Sequence, residues 1–144
     1  GRIAADSISS ETICLTDVFP TLVAAAGAEL PDGAAPDGVN LLPVLRATGE
    51  PTDHRRGIIH HSGDGMFAIR SGRWKLVEGL GSGGFTKPAR IEVPDGEVGF
   101  QLYDLDADPA ESVDLASDLP EEVIRLRSLL EEIRSSQRSV RRSE

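Results

Sequence analysis

The sequence has few of the residues that mark several protein classes. Its 144 residues include one cysteine, Cys14, and its aromatic side chains are four Phe, one Tyr and one Trp. One cysteine forms no intrachain disulfide, and no Cys/His spacing typical of a structural zinc site is present. Lys and Arg number 15 against 24 Asp and Glu, for a net charge of −9. Because the phosphate backbone requires a cationic surface, general nucleic-acid binding is excluded.

Long apolar runs are also missing. No apolar segment reaches the length of about 18 residues that a transmembrane helix needs, so we predict no membrane span. The chain starts at Gly1 without a Met and shows no charged and apolar leader, so we expect a piece of something longer. A hydrophobic content of 39% is enough for a core in a chain of this length. The cellular compartment stays unknown.

The N-terminal part predicts two short helices. Residues 16–27 read TDVFPTLVAAAG, with Thr16 as the expected N-cap and Gly27 as the stop. This helix is apolar on most faces, so we expect it to be buried against other protein, either a domain outside this chain or a second copy of itself. The run at 28–38 carries Pro-Asp turn signals and predicts a loop. A second helix is expected at 40–46.

The remaining chain predicts an α+β fold. Segments 58–62, 66–70, 73–79 and 100–105 alternate like strands, and the first three are separated by the short turns of consecutive hairpins. Capping patterns predict helix starts at Asp108 and Asp118. The second helix carries an apolar stripe at three and four spacing, namely Leu119, Val123, Leu126, Leu130 and Ile133. We therefore expect a small antiparallel sheet of about four strands with this helix packed on one face.

Two motifs imitate ligand sites. Gly79, Gly81 and Gly84 match the dinucleotide pattern G-x-G-x-x-G, but the Phe-Thr-Lys-Pro run that follows cannot open the required helix. The segment is either a connector or a loop that lines a cleft. The acidic run at 104–108 imitates a calcium loop, yet Pro109 stands where that loop requires Gly. We interpret these aspartates as turn and cap residues.

The histidine pair and the cysteine are also open to a structural or a functional interpretation. His60 and His61 are neighbours on a predicted strand, so their side chains point to opposite faces and cannot chelate one metal together. Each is either a structural histidine or a binding residue. Cys14 has no paired His or second Cys in motif spacing, and we expect a buried small side chain.

Four segments, in order, resemble the carboxyl-terminal third of the arylsulfatase-like enzymes of the sulfatase family. They read TDVFPTLVAAAG (16–27), PDGVNLLPVL (36–45), FAIRSGRWKLVEG (67–79) and LYDLDADPAESVDLA (102–116). In the family the last motif runs L-Y-D-L-x-x-D-P-x-E-x-x-N-L, and here Asp114 replaces its final Asn. Each motif alone is weak, but four in the same order make the assignment specific. The resemblance extends from about residue 1 to 134.

The resemblance implies a parent enzyme that hydrolyses sulfate esters of sugars or aryl alcohols. Such a parent has an α/β domain like that of alkaline phosphatase, a formylglycine made from a C/S-x-P-x-R motif, and a calcium ion. This chain contains no C/S-x-P-x-R motif, no Asp-Asn pair and no Asp-Asp pair. We therefore expect an inactive fragment without a cofactor of its own. Residues 1–50 would be the last helices and linker of the catalytic domain, and 51–144 the small carboxyl-terminal subdomain.

In such enzymes the small subdomain packs beside the active-site cleft. By resemblance, His60, His61 and the loop Gly81–Phe85 are the expected substrate-binding rim, with His61 preferred. The expected partners are the missing N-terminal catalytic domain and a sulfated carbohydrate or aryl sulfate, and the resemblance is compatible with a periplasmic or secreted parent. The alternative is a free-standing carbohydrate or protein binding module. The apolar helix at 16–27 disfavours that alternative.

Overall fold

The structure is a computed structural model that describes residues 3–47, 55–96 and 99–140. The chain divides into two compact units. The first comprises Gly1–Arg56 and Arg138–Glu144, and the second comprises Gly57–Gln137. No helix in the described ranges has both the length and the apolarity that a bilayer crossing requires.

The first unit contains the two predicted short helices. A 3₁₀ turn at Leu15–Asp17 leads directly into α1 (Val18–Ala25), and α2 spans Leu42–Leu45. Thr16 is not the N-cap that we expected, because it lies inside the 3₁₀ turn and its hydroxyl donates to the Asp37 carbonyl at 3.2 Å. The N-cap of the 3₁₀ turn is instead Cys14, two residues earlier, and Cys14 is partly buried rather than buried.

Asp17 is the polar centre of this unit. Its side chain is fully buried and accepts the backbone N–H of Val39 at 2.9 Å and of Cys14 at 2.8 Å. Arg55 adds a bidentate ion pair, with Nη1 at 2.9 Å from Oδ2. Burial alone raises the pKa of Asp17, but Arg55 and the two N–H donors outweigh burial, so the pKa is lowered. The carboxylate therefore joins three separate stretches of the unit.

The apolar side of α1 is not covered by the described residues. Val18, Phe19 and Leu22 are 49%, 55% and 62% exposed, whereas Pro20 and Thr21 are buried. The Thr21 hydroxyl donates to the Asp17 carbonyl at 2.6 Å and accepts the N–H of Leu41 at 2.9 Å. The helix thus turns Pro20 and Thr21 inward and its larger apolar residues outward.

The second unit is the predicted antiparallel sheet with one long helix. The strands are β1 (Ile58–His61), β2 (Phe67–Ser71), β3 (Trp74–Glu78) and β4 (Phe100–Asp104), in the spatial order β1-β2-β3-β4. Each strand pairs with its neighbour in antiparallel register. Helix α3 spans Pro120–Ser136. The predicted fold class is confirmed.

The core of this unit lies between one face of the sheet and α3. It is made of apolar side chains with less than a tenth of their surface exposed: Ile69, Leu76, Leu102, Ala116, Val123, Leu126, Leu130 and Ile133. The predicted stripe on α3 is confirmed except for Leu119. That residue is the N-cap of the helix and is 37% exposed.

The helix start predicted at Asp108 was wrong. The described chain from 105 to 119 contains turns and loop, and the Asp108 carboxylate accepts the backbone N–H of Ser112 at 2.7 Å and of Val113 at 2.8 Å. A cap accepts N–H groups two or three residues ahead, whereas these lie four and five residues ahead, so the same carboxylate closes a loop. Asp118 is likewise not the cap of α3, which begins at Pro120.

We predict that Leu126→Ala lowers the free energy of unfolding by about 2–5 kcal/mol, since Leu126 is fully buried and its removal leaves a cavity. The measurement is a denaturant titration of the 144-residue chain. Ile124→Ala, on the same helix but 65% exposed, is the matched control and should change stability by less than about 0.5 kcal/mol. Equal losses for the two variants would mean that α3 packs through another face.

Candidate functional site

The second face of the sheet carries polar side chains and is not covered by α3. In the strand register, His60, Ala68, Val77 and Gln101 form one cross-strand row, and Ile58, Arg70, Lys75 and Tyr103 form the next row on the same face. A cavity of about 400 Å³ opens there. It is lined by His60, His61, Ser62, Met66, Ala68, Lys75, Val77, Gly81, Ser82, Gln101, Tyr103 and Glu111. The lining is therefore polar around a small apolar floor.

An ion pair lies at one side of the cavity. Lys75 Nζ is 2.6 Å from both carboxylate oxygens of Glu111, and both side chains are mostly shielded from solvent. Glu111 comes from the loop that Asp108 closes, and its backbone adopts the left-handed conformation with φ of 55°. Asp114 ties the same loop to β4 by accepting the N–H of Leu102 at 2.9 Å. These local contacts hold the Glu111 carboxylate over β3.

A chain of hydrogen bonds runs along β4 on the cavity face. The Tyr103 hydroxyl donates to Gln101 Oε1 at 2.8 Å, and Gln101 Nε2 donates to the carbonyls of Gly79 at 2.8 Å and Gly81 at 3.1 Å. Burial raises the pKa of Tyr103, and the carboxylates of Asp114, Glu111 and Asp108 raise it further. The phenol is therefore neutral at pH 7 and fixed in place by the amide.

The two candidate histidines both line the cavity but differ in their contacts. His60 is paired with Ala68 on the cavity face. Partial desolvation lowers the pKa of His60, the charge of Lys75 lowers it further, and Glu111 acts in the opposite direction. The ring of His61 contacts Phe67, with centroids 5.7 Å apart, and its Nδ1 donates to the Ser62 carbonyl at 2.9 Å. His60, not the preferred His61, thus presents its ring beside the ion pair.

The glycine-rich loop forms the opposite side of the cavity through its first residues. Gly81 and Ser82 line the cavity, whereas Phe85, at the other end of the expected rim, is fully exposed and does not. Ser82 and Gly83 donate their backbone N–H groups to the carbonyls of Pro88 at 3.1 Å and Ala89 at 2.8 Å. The loop folds back on itself, and the described residues that follow it, 86–96, contain no helix.

The calcium that the resemblance implies does not fit the side chains present. Within the described ranges, no three His, Cys, Asp or Glu residues come together in a way that could hold a metal ion. The aspartates of the 104–108 run have other roles: Asp104 pairs with Arg73 and accepts the N–H of Asp106 at 3.2 Å. The turn part of the interpretation is confirmed for Asp104 and Asp108, whereas the cap part was wrong because no helix starts at Asp108.

The cavity residues that the sequence did not single out include Lys75, Gln101, Tyr103 and Glu111. Alternation along β3 and β4 places the first three on the face opposite the core, so that signal was available. Glu111 carried a misleading signal, because Asp-Pro-Ala-Glu is typical of a capping box. Its partner Lys75 lies 36 residues away, and local patterns do not predict such a pair.

No family model matches the chain. Among curated proteins, it is 33% identical to N-acetylgalactosamine-6-O-sulfatase of Bacteroides thetaiotaomicron over 83% of its length, and 32% identical to arylsulfatase A of Bos taurus over 84%. A solved structure from work on glycosaminoglycan metabolism by Bacteroides thetaiotaomicron superposes with a TM-score of 0.62 at 31% identity, covering 83% of this chain and 24% of that one.

The chain belongs to the sulfatase family. It covers 23% of the length of the bacterial relative and 25% of the bovine one, so it spans about a quarter of the sulfatases that it matches. Together with the order of the four motifs, this partial coverage identifies it as the carboxyl-terminal portion of a sulfatase. The small sheet with its helix lies within this carboxyl-terminal portion, and the cavity is on the open face of the sheet.

We predict that Gly81→Ala distorts the cavity rim of this sulfatase portion. Gly81 has φ of 99°, and an added Cβ would lie 2.8 Å from the Ala89 carbonyl oxygen and 2.9 Å from that of Pro88. A left-handed backbone costs an L-residue about 1–2 kcal/mol, and backbone atoms cannot move aside easily. The expected result is a loss of at least about 1 kcal/mol in denaturant titration, with shifted amide signals of Ser82 and Gly83.

Gly63→Ala is the control for this change. Gly63 has no positive φ, and an added Cβ there meets no atom within 4 Å. An Ala at Gly81 that is tolerated as well as one at Gly63 would contradict the described loop conformation.

Proposed function

We propose that this chain is a non-catalytic part of a sulfatase, and that its open sheet face forms a wall of the cleft that receives a sulfated sugar. The observation that carries the proposal is the cavity on that face, with His60, Tyr103 and the Lys75–Glu111 pair in its lining. Pockets that combine a few fixed polar groups with an apolar floor are typical of small-molecule sites. The bacterial relative is named for a sulfated amino sugar, which supports this substrate class.

The proposed division of roles assigns the chemistry to another part of the enzyme. Sulfate ester hydrolysis needs a nucleophile and an electrophilic group that neutralises the sulfate oxygens. This sequence has no C/S-x-P-x-R motif. Cys14 is the N-cap of the 3₁₀ turn, and its backbone N–H donates to the Asp17 carboxylate. The formylglycine and calcium of the family would therefore belong to the remaining three quarters of the enzyme.

The proposed protein partner is that remaining part, the N-terminal catalytic domain. Residues 1–50 would then complete the catalytic domain and 51–144 would form the small subdomain beside it. The exposed apolar residues of α1 support such a partner, because burying the exposed half of Val18, Phe19 and Leu22 would contribute about 1 kcal/mol for each side chain. In a separate chain, pairing with a second copy would cover the same residues.

The test of the substrate class is a titration of the 144-residue chain with N-acetylgalactosamine 6-sulfate, followed by amide NMR signals. We expect shifts confined to the cavity lining on β1, β3, β4 and the Gly81–Ser82 segment. His60→Ala should weaken binding by about tenfold, the loss of one buried hydrogen bond. Ser135→Ala, on α3 behind the other sheet face, is the control and should leave binding unchanged.

Unchanged cavity signals up to the solubility limit of the sugar would contradict the proposed function. The alternative is a free-standing carbohydrate binding module. Sugar binding by a full-length natural protein that contains this chain but no sulfatase catalytic domain would favour that alternative.

We also predict that the purified chain does not hydrolyse an aryl sulfate, with or without added calcium, because the nucleophile motif is absent from the sequence. The assay follows release of the phenol by absorbance. Calcium-dependent turnover that persists through further purification and is abolished by a substitution in this chain would contradict the non-catalytic assignment.

A further inference from the structure

We propose that the cavity receives an uncharged, hydroxyl-bearing part of the sugar rather than its sulfate group, with the Lys75–Glu111 pair as the main anchor. The inference rests on the proposed function and narrows it. It follows from three properties of the lining: its net charge, its balance of hydrogen-bond donors and acceptors, and its apolar floor.

The charges of the lining cancel. Lys75 is the one lining residue with a fixed positive charge, and both of its carboxylate contacts at 2.6 Å are with Glu111. Tyr103 and Gln101 are neutral, and the lowered pKa of His60 keeps its ring neutral at pH 7. A sulfate entering the cavity would gain the attraction of one ammonium and meet the repulsion of one carboxylate within about the same distance.

Arg70 is the other cation in the described rows of this sheet face, but it does not line the cavity. Its Nε donates to the Gly72 carbonyl at 3.3 Å, in the turn between β2 and β3. No second cation thus compensates the carboxylate of Glu111 within the described lining.

The cavity lining has both hydrogen-bond donors and hydrogen-bond acceptors that are not used within the protein. Lys75 has three N–H donors and uses two on Glu111. The Ser62 hydroxyl oxygen accepts the N–H of Met66 at 3.1 Å, which leaves its O–H to donate. On the acceptor side, Glu111 keeps carboxylate lone pairs, and the Tyr103 oxygen can accept because its proton is held by Gln101. Sugar hydroxyls donate and accept, whereas sulfate oxygens only accept, so hydroxyls match this mixture.

The floor of the cavity suits a sugar ring. Met66 and Ala68 are buried and Val77 is half-buried, and all three line the cavity. They offer an apolar surface to the C–H face of a pyranose, while two neighbouring hydroxyls can bridge the Lys75 ammonium and the Glu111 carboxylate. A sulfate group has no C–H surface that could pack against these apolar side chains.

The experiment compares three probes on the 144-residue chain by amide NMR: N-acetylgalactosamine, its 6-sulfate, and sodium sulfate at matched ionic strength. We expect the neutral and the sulfated sugar to shift the same cavity signals with dissociation constants within about threefold of each other, less than the effect of one net hydrogen bond. Sodium sulfate should not displace either sugar. Lys75→Met should weaken both sugars by about tenfold, as expected for a hydrogen bond to a charged group.

Glu111→Gln is the decisive variant, because it keeps the side-chain shape and leaves the Lys75 charge uncompensated. We expect it to weaken N-acetylgalactosamine and to allow sodium sulfate to bind in the cavity. Glu122→Gln, which removes the carboxylate that pairs with Arg125 on α3, is the matched control and should change neither. For both variants, unchanged amide signals of the β-strands away from the substituted residue would show that the fold is intact.

Displacement of the sugar by sodium sulfate in the unaltered chain, or binding of the 6-sulfate alone, would overturn the inference and leave the proposed function standing. Absence of binding by both sugars would instead overturn the proposed function, and the inference with it.

Discussion

Alternation along β3 is the constraint on which the second unit depends. Leu76 is fully buried against α3, and its neighbour Lys75 points to the cavity on the other face. Because side chains alternate with a period of two, a slip of one residue in the pairing of β3 would exchange them. The slip would bury an ammonium under α3 and expose a leucine in the cavity. The same register therefore determines both the core and the site.

The sheet and α3 were predictable because their signals are local. Short turns separate the first three strands, and an apolar stripe marks α3, so neither depends on distant contacts. The loop before α3 was not predictable. The Asp108 carboxylate closes the loop by accepting the N–H groups of Ser112 and Val113, while Glu111 pairs with Lys75 instead of reaching back to cap a helix. A local loop contact thus redirected Asp108 and a tertiary contact redirected Glu111, although the local pattern of both is typical of a helix start.

The residues of the site also fall into those that a local sequence pattern indicates and those that only contacts between distant residues reveal. His60 could be singled out because its residue type and strand position are visible in the sequence. The importance of Lys75 and Glu111 became visible only once the fold joined two residues 36 positions apart. Distinguishing the surroundings of His60 and His61 also needed the structure, because the two are adjacent on one strand. The ring of His61 contacts Phe67, whereas His60 lies beside the Lys75–Glu111 pair.

In the first unit, burial is inverted relative to an ordinary amphipathic helix. In the segment TDVFPTLVAAAG, Asp17, Pro20 and Thr21 form a D-x-x-P-T motif whose three named residues are buried, while Val18 and Phe19 between them are half exposed. A buried carboxylate is tolerated here because Arg55 and two backbone N–H groups compensate its lost hydration. The motif is thus a polar core that fixes the orientation of α1. The outward apolar side chains are the feature that supports the proposed partner.

If the proposed function is correct, a cavity without net charge suits a chain that has no sulfatase nucleophile motif, because both leave the sulfate to the catalytic domain. A sulfatase must place the sulfate at its nucleophile, and specificity depends on the difference between that placement and every competing one. A second cationic pocket beside the cleft would attract the same sulfate and hold the substrate in an unproductive position. Glu111 removes that competition by occupying Lys75, yet it leaves both groups able to hold hydroxyls. The ion pair would therefore contribute to orientation of the sugar while leaving the sulfate to the catalytic domain.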